Sequence, residues 1–186
     1  NYDDVLRRQR EIIYEQRNKV LEADDVHDTV KVIFESVIGQ TMQANLADNK
    51  KDGLDLPGLV KSLEVLGLAD EKALHVSELE GKNYEEIKKY INDKVWSDYE
   101  KEIEPAKDQF LPFEKNVVLR NIDRNWIEHI DRMDKLRNGI YLRSYAQNNP
   151  LQQYVQEGFD MFEDMNSRIG REIAGFLLIV RLRPAQ

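Results

Sequence analysis

Cysteine is missing altogether from these 186 residues. That rules out a disulfide, a thiol nucleophile and a zinc–thiolate site within this stretch, and it fits a cytosolic protein. Proline and glycine are scarce, at five and nine residues, and several of them fall in two short stretches, so the rest of the chain is free to run as helix. No apolar run is long. Ala174 to Val180, interrupted by Gly175, falls far short of the roughly 20 residues needed to cross a bilayer. The first ten residues, NYDDVLRRQR, lack the apolar segment of a secretory leader. A phosphate-cradling G-x-x-x-x-G-K-[ST] is absent, as is any useful β-alternation or internal repeat. The net charge of −8 argues against a nucleic-acid partner, because phosphate binding relies on clustered lysine and arginine.

What is present is helical periodicity. Charged residues make up 33% of the chain and hydrophobic ones 41%, a balance that suits long helices with wide solvated faces. Apolar pairs at Val5/Leu6, Ile12/Ile13 and Val20/Leu21 recur about every two turns and predict a helix over residues 1–22. Asp24-Asp25 is the expected cap of a second helix running to about Leu46, with Val30, Ile33, Phe34, Val37, Ile38 and Met42 as its stripe. A break follows at Asp48 to Pro57. A short helix is expected over 58–66, stopped by Gly67. Ser77 and Glu80 have the spacing of a capping box for a brief helix. Another helix is expected over 82–104, ended or kinked by Pro105.

The last third carries the longest pattern. Leu119, Ile122, Trp126, Ile130, Met133, Leu136 and Ile140 mark one amphipathic helix. Leu151, Val155, Phe159, Phe162, Met165, Ile169, Ile173, Phe176 and Val180 mark another. Gly139 and Pro150 flank the turn between them, and Pro150 suits the first position of a helix, where its missing N–H costs nothing. Two such helices, each on the order of 45 Å long, should pack antiparallel with their tip around Leu142 to Asn149. Tyr141 and Leu142 can be read as closing the hairpin end. Tyr145 has less reason to be buried, and a tyrosine at the end of a long lever suits contact with a partner.

Catalytic chemistry has no foothold. His27, His75 and His129 fall on three different predicted elements, without metal-ligand spacing. His129 reads as a helix-face residue packed beside Trp126. Asp3/Asp4, Asp24/Asp25 and Glu85/Glu86 are adjacent pairs whose side chains diverge on a helix, so they read as caps and solvated faces. Arg7, Arg8 and Arg10 read as a charged helix face, and Phe159, Met161, Phe162 and Met165 as core.

The segment Trp126 to Pro150, WIEHIDRMDKLRNGIYLRSYAQNNP, resembles the signature W-x-x-H-L-x-x-M-D-x-L-R-x-G-I-x-L-R-x-Y-A-Q-x-x-P of the SecA family of protein-export motors. The likeness continues through Glu157-Gly158-Phe159 and Met161-Phe162. Tyr2-Asp3-Asp4-Val5, Gln9-Arg10 and Ile13-Tyr14-x-x-Arg17-Asn18 resemble the family's scaffold helix, and Asp55-Leu56-Pro57-Gly58-Leu59 a short motif of its wing. Ile130 stands where leucine is usual.

This resemblance implies an all-α fold: a long scaffold helix and a long antiparallel two-helix hairpin, with an inserted small helical wing. Residues 1–24 would be the scaffold-helix segment, 25–106 the wing, and 107–183 the two-helix finger and remaining scaffold. The chain opens without Met, inside a helical pattern, and reads as an excised fragment. It would hold no cofactor and no active site; ATP and Mg would belong to the family's motor domains. Its partners would be those motor domains, the SecYEG channel, unfolded preprotein and, through the parent, an anionic membrane surface. The location would be the cytoplasmic face of the bacterial membrane. Arg143, Ser144, Tyr145, Ala146 and Gln147 would form a fingertip touching polypeptide or channel. Trp126, Ile130, Met133, Leu136, Phe159 and Phe162 would form the hairpin core. A passive helical adaptor, binding one partner helix through its apolar stripe, is the alternative reading.

Overall fold

A computed structural model describes residues 1–47, 53–68, 74–143 and 149–181. The fold is all-α: α1 (Tyr2–Glu22), α2 (His27–Ala44), α3 (Leu56–Val65), α4 (Val76–Leu79), α5 (Tyr84–Ile103), α6 (Lys107–Arg143) and α7 (Pro150–Arg181). The only β pairing among the described residues is an isolated bridge between Leu46 and Leu54.

Local chemistry sets the helix ends. The Asn1 side chain accepts from the Asp3 N–H, and Asp3 and Asp4 occupy the first turn of α1, where the helix dipole favours negative charge. The expected cap of α2 does not form: α2 starts at His27 with Val26 as its cap residue, and Asp24-Asp25 stay outside it. Asp55 caps α3 through Gly58 N–H. Gly67 follows with φ of 81°, the left-handed conformation that ends a helix and favours glycine. The capping interaction of α4 lies two residues before the expected one. Glu78, not Glu80, reaches back, its carboxylate accepting from the His75 N–H at 3.0 Å. That hydrogen bond and the Lys94 ammonium hold the Glu78 carboxyl below the usual carboxylate range. Pro105 lies in a 3₁₀ turn (Glu104–Ala106) between α5 and α6. Pro112 sits inside α6 near its start. Gly139 does not interrupt α6, which runs on to Arg143. Asn149 caps α7 by accepting from Gln152 N–H, with Pro150 at the first helical position.

The chain divides into two compact units: Asn1–Asp25 with Lys115–Ile169, and Val26–Glu114 with Gly170–Gln186. In the first unit, α1 lies antiparallel to α6. Asp3 pairs with Arg137 at 3.0 Å and Arg17 with Asp123 at 2.7 Å. Lys115 Nζ also donates to the Leu21 and Ala23 carbonyls, holding the end of α1. α6 and α7 form the antiparallel hairpin, through pairs such as Arg168–Asn125 and Arg143–Glu157. Met133, Ile140 and Tyr154 make a buried cluster against Tyr2, Val5, Leu6, Leu136 and Met161.

The second unit is a small helical core. α2 packs on α5 and α3. Val30, Phe34, Val37, Ile38 and Met42 from α2 are buried with Leu59 and Leu63 from α3 and Ile91, Val95 and Tyr99 from α5. An aromatic group of Phe34, Trp96 and Tyr99 joins α2 to α5, with centroids 5.0–5.7 Å apart. Beneath it is a buried carboxylate, Glu114, which accepts the Tyr99 hydroxyl at 2.6 Å. Glu114 lies 3.0 Å from His27 Nδ1, while His27 Nε2 lies 3.1 Å from Glu100. Burying a carboxylate is costly unless it is hydrogen-bonded, and this cluster supplies the bonds.

Candidate functional site

The hairpin end is positioned by what holds its two helices together. His129 on α6 is 1% exposed and Gln9 on α1 is 6% exposed. His129 Nε2 lies 2.7 Å from Gln9 Oε1, and Gln9 Nε2 donates to the Gly158 carbonyl of α7 at 3.2 Å. Because the Gln9 amide nitrogen is spent on that carbonyl, its oxygen is the acceptor and His129 Nε2 carries the proton. Burial, with lesser contributions from Arg132 and Arg168, lowers the His129 pKa to about 4. The imidazole is therefore neutral at physiological pH and acts as a structural donor. Trp126 and Phe162 flank it, with ring centroids 5.6 and 5.7 Å away.

Gly158 is the seam position of α7. A Cβ there would come within 2.8 Å of Met133 Cε, so only glycine allows this closeness without displacing the Met133 side chain. That placement corrects one expectation. Phe159, expected in the hairpin core, is 56% exposed. With Gly158 on the seam, the next residue is rotated about 100° around the helix and faces outward. Trp126, Met133 and Phe162 are buried, whereas Ile130 and Leu136 are half-buried.

Tyr141 and Leu142 are about three-quarters exposed, so they do not close the hairpin end. Arg143, expected to face a partner, reaches across to α7 and pairs with Glu157 at 3.1 Å. The other expected tip residues, Ser144, Tyr145, Ala146 and Gln147, lie outside the described residues. Among the described residues no group of histidine, cysteine, aspartate and glutamate could hold a metal ion, and no helix is long and apolar enough to cross a membrane.

Residues 1–181 match the model of the SecA wing and scaffold domain family. The chain belongs to that family. It is therefore part of the SecA protein-translocation machinery, and it is a wing and scaffold region, not a nucleotide-binding motor domain. The residues of the three-helix lock come from segments with family likeness: Gln9-Arg10, the W-x-x-H pair Trp126 and His129, and Glu157-Gly158-Phe159. Sequence reasoning singled out His129 without its partner. Glutamine is usually exposed, so nothing in the α1 pattern marked Gln9 as interior. The buried Glu114 was missed for the same reason.

Proposed function

We propose that this chain is a non-catalytic scaffold and finger that helps to couple ATP hydrolysis in SecA motor domains to the movement of preproteins through the SecYEG channel. In this reading the segment Arg143–Gln147 meets unfolded preprotein at the channel mouth. The same hairpin restrains the ATPase when no channel is engaged. ATP and Mg are held by the motor domains of the parent protein, which works at the inner face of the cell membrane and touches its anionic surface.

The observation that carries the reading is the exposed end of a locked hairpin. Over residues 115–143 the first helix of the hairpin is about 44 Å long, tied to its neighbours by buried hydrogen bonds, and it ends in exposed Tyr141 and Leu142. A rigid element transmits displacement from one end to the other, and exposed aromatic and apolar groups at its end can grip a chain of varied sequence. Replacing Tyr145→Ala in the parent protein should leave the melting curve unchanged and impair preprotein export. A large fall in melting temperature would count against a tip role for Tyr145. The passive-adaptor alternative draws support from the exposed Val155 and Phe159 on the flank of α7; it requires polypeptide contacts spread along the hairpin instead of at its end.

A further inference from the structure

Polar side chains on α1 mostly face water, but Gln9 is buried. Its amide is used at both ends, and each end reaches a different helix. The oxygen accepts from His129 Nε2 of α6 at 2.7 Å, and the nitrogen donates to the Gly158 carbonyl of α7 at 3.2 Å. A carbonyl oxygen has two lone pairs, so Gly158 can accept this bond beside the one inside its own helix. One side chain of α1 therefore meets both helices of the hairpin, next to the place where Met133 packs on Gly158.

The other ties of α1 to the hairpin are of a different kind. Asp3–Arg137 and Arg17–Asp123 reach α6 only, and their side chains are 35–77% exposed; exposed ion pairs hold a position weakly. Against α7, Tyr2 rests on Tyr154 with ring centroids 5.0 Å apart. Apolar contact is non-directional and tolerates sliding. A buried hydrogen bond does not, because a small displacement strands its donor and acceptor away from water. Among the described residues no other hydrogen bond or ion pair joins α1 to α7.

We propose that Gln9 is the positioning residue through which α1 carries the hairpin. A displacement of α1 reaches α6 through the His129 bond and α7 through the Gly158 bond, so the two helices move together and their exposed end moves with them. The inference rests on the reading of the hairpin as a lever in preprotein movement. It assigns the step between α1 and that lever to a single side chain.

Two substitutions separate the two bonds. Gln9→Met removes both. Gln9→Glu keeps an oxygen for His129 Nε2 but sets a second oxygen, in place of the donor, against the Gly158 carbonyl, so it breaks the tie to α7 alone. The chain has no cysteine, so spin labels can be placed on the exposed positions Arg8→Cys with Lys135→Cys on α6, or Arg8→Cys with Asp164→Cys on α7. Circular dichroism sets a temperature at which the 186-residue chain and both variants are folded. There, pulsed electron resonance should give narrow distance distributions for both label pairs in the parent chain. Gln9→Met should broaden both, and Gln9→Glu should broaden the α1–α7 distance alone. Broadening of both distances by both variants is general loosening and overturns the proposal, as does no broadening in either. In the full parent protein each variant should raise the ATP hydrolysed per preprotein moved by about twofold or more. An unchanged ratio, with the broadening present, overturns the role of Gln9 in coupling; cross-linking from position 145 tests the lever reading separately, since it does not depend on Gln9.

Discussion

The His129 Nε2 to Gln9 Oε1 hydrogen bond, 2.7 Å long and buried, joins residues 120 positions apart and is made by an imidazole that burial keeps neutral. Its proton affinity is lowered mainly by burial, to a pKa of about 4, against roughly 6.5 in an unfolded chain. Between those values the unfolded state holds a proton that the folded state does not. The stability due to His129 is thus complete above about pH 6.5 and is lost as the pH falls towards 4. Acid melts across this window should show a loss of roughly 3 kcal/mol. His129→Gln should flatten that part of the profile. An unchanged profile would mean that the ring is not buried as a neutral donor.

Gly158 and Met133 should be energetically coupled. Gly158→Ala gains about 1 kcal/mol in helix propensity but forces a methyl against a fully buried methionine, and overpacking costs about 1–3 kcal/mol. The substitution should therefore destabilise the parent chain in denaturant titrations. In a Met133→Leu background, where the Cε atom is gone, the penalty should shrink or reverse. Equal effects in both backgrounds would refute the contact.

Three hairpin side chains should rank by burial. Met133→Ala should cost about 2–5 kcal/mol. Leu136→Ala should cost less, because Leu136 is only half-buried. Phe159→Ala should fall within about 0.5 kcal/mol of the parent chain, as surface changes do. A large loss at Phe159 would place that ring in the core after all.

In the second unit, Tyr99→Phe removes the hydroxyl that Glu114 accepts at 2.6 Å while keeping the ring. Hydrogen bonds to charged groups contribute about 1.5–3 kcal/mol, so thermal melts should show a loss of that order. A neutral result would mean that His27 alone satisfies the carboxylate.

The helices were legible wherever an apolar stripe ran for several turns, as in Val30–Met42 and Leu119–Ile140, because the 3.6-residue period is imposed by burial of one face. Helix ends were less so. Asp24-Asp25 and Ser77-x-x-Glu80 have capping chemistry, yet the caps are at Val26 and His75, since tertiary packing decides which of several suitable residues is used. Phe159 was misplaced because hydrophobicity alone favours phenylalanine over its neighbour Gly158, while the close approach of α6 and α7 at that point admits only glycine. Gln9 and Glu114 escaped notice because each is interior only by virtue of partners far away in sequence, His129 and Tyr99 among them.

The claim that the hairpin end meets a moving polypeptide can be tested without altering the fold, because the chain contains no cysteine. A single cysteine is placed by Tyr145→Cys, and as a control by Lys88→Cys on α5, in an otherwise cysteine-free parent protein. Disulfide cross-linking is then measured to a stalled export substrate and to loops of the channel. The account predicts cross-links from position 145 and none from position 88. Equal cross-linking from both positions, or none from either, would contradict it and leave the hairpin as a passive scaffold.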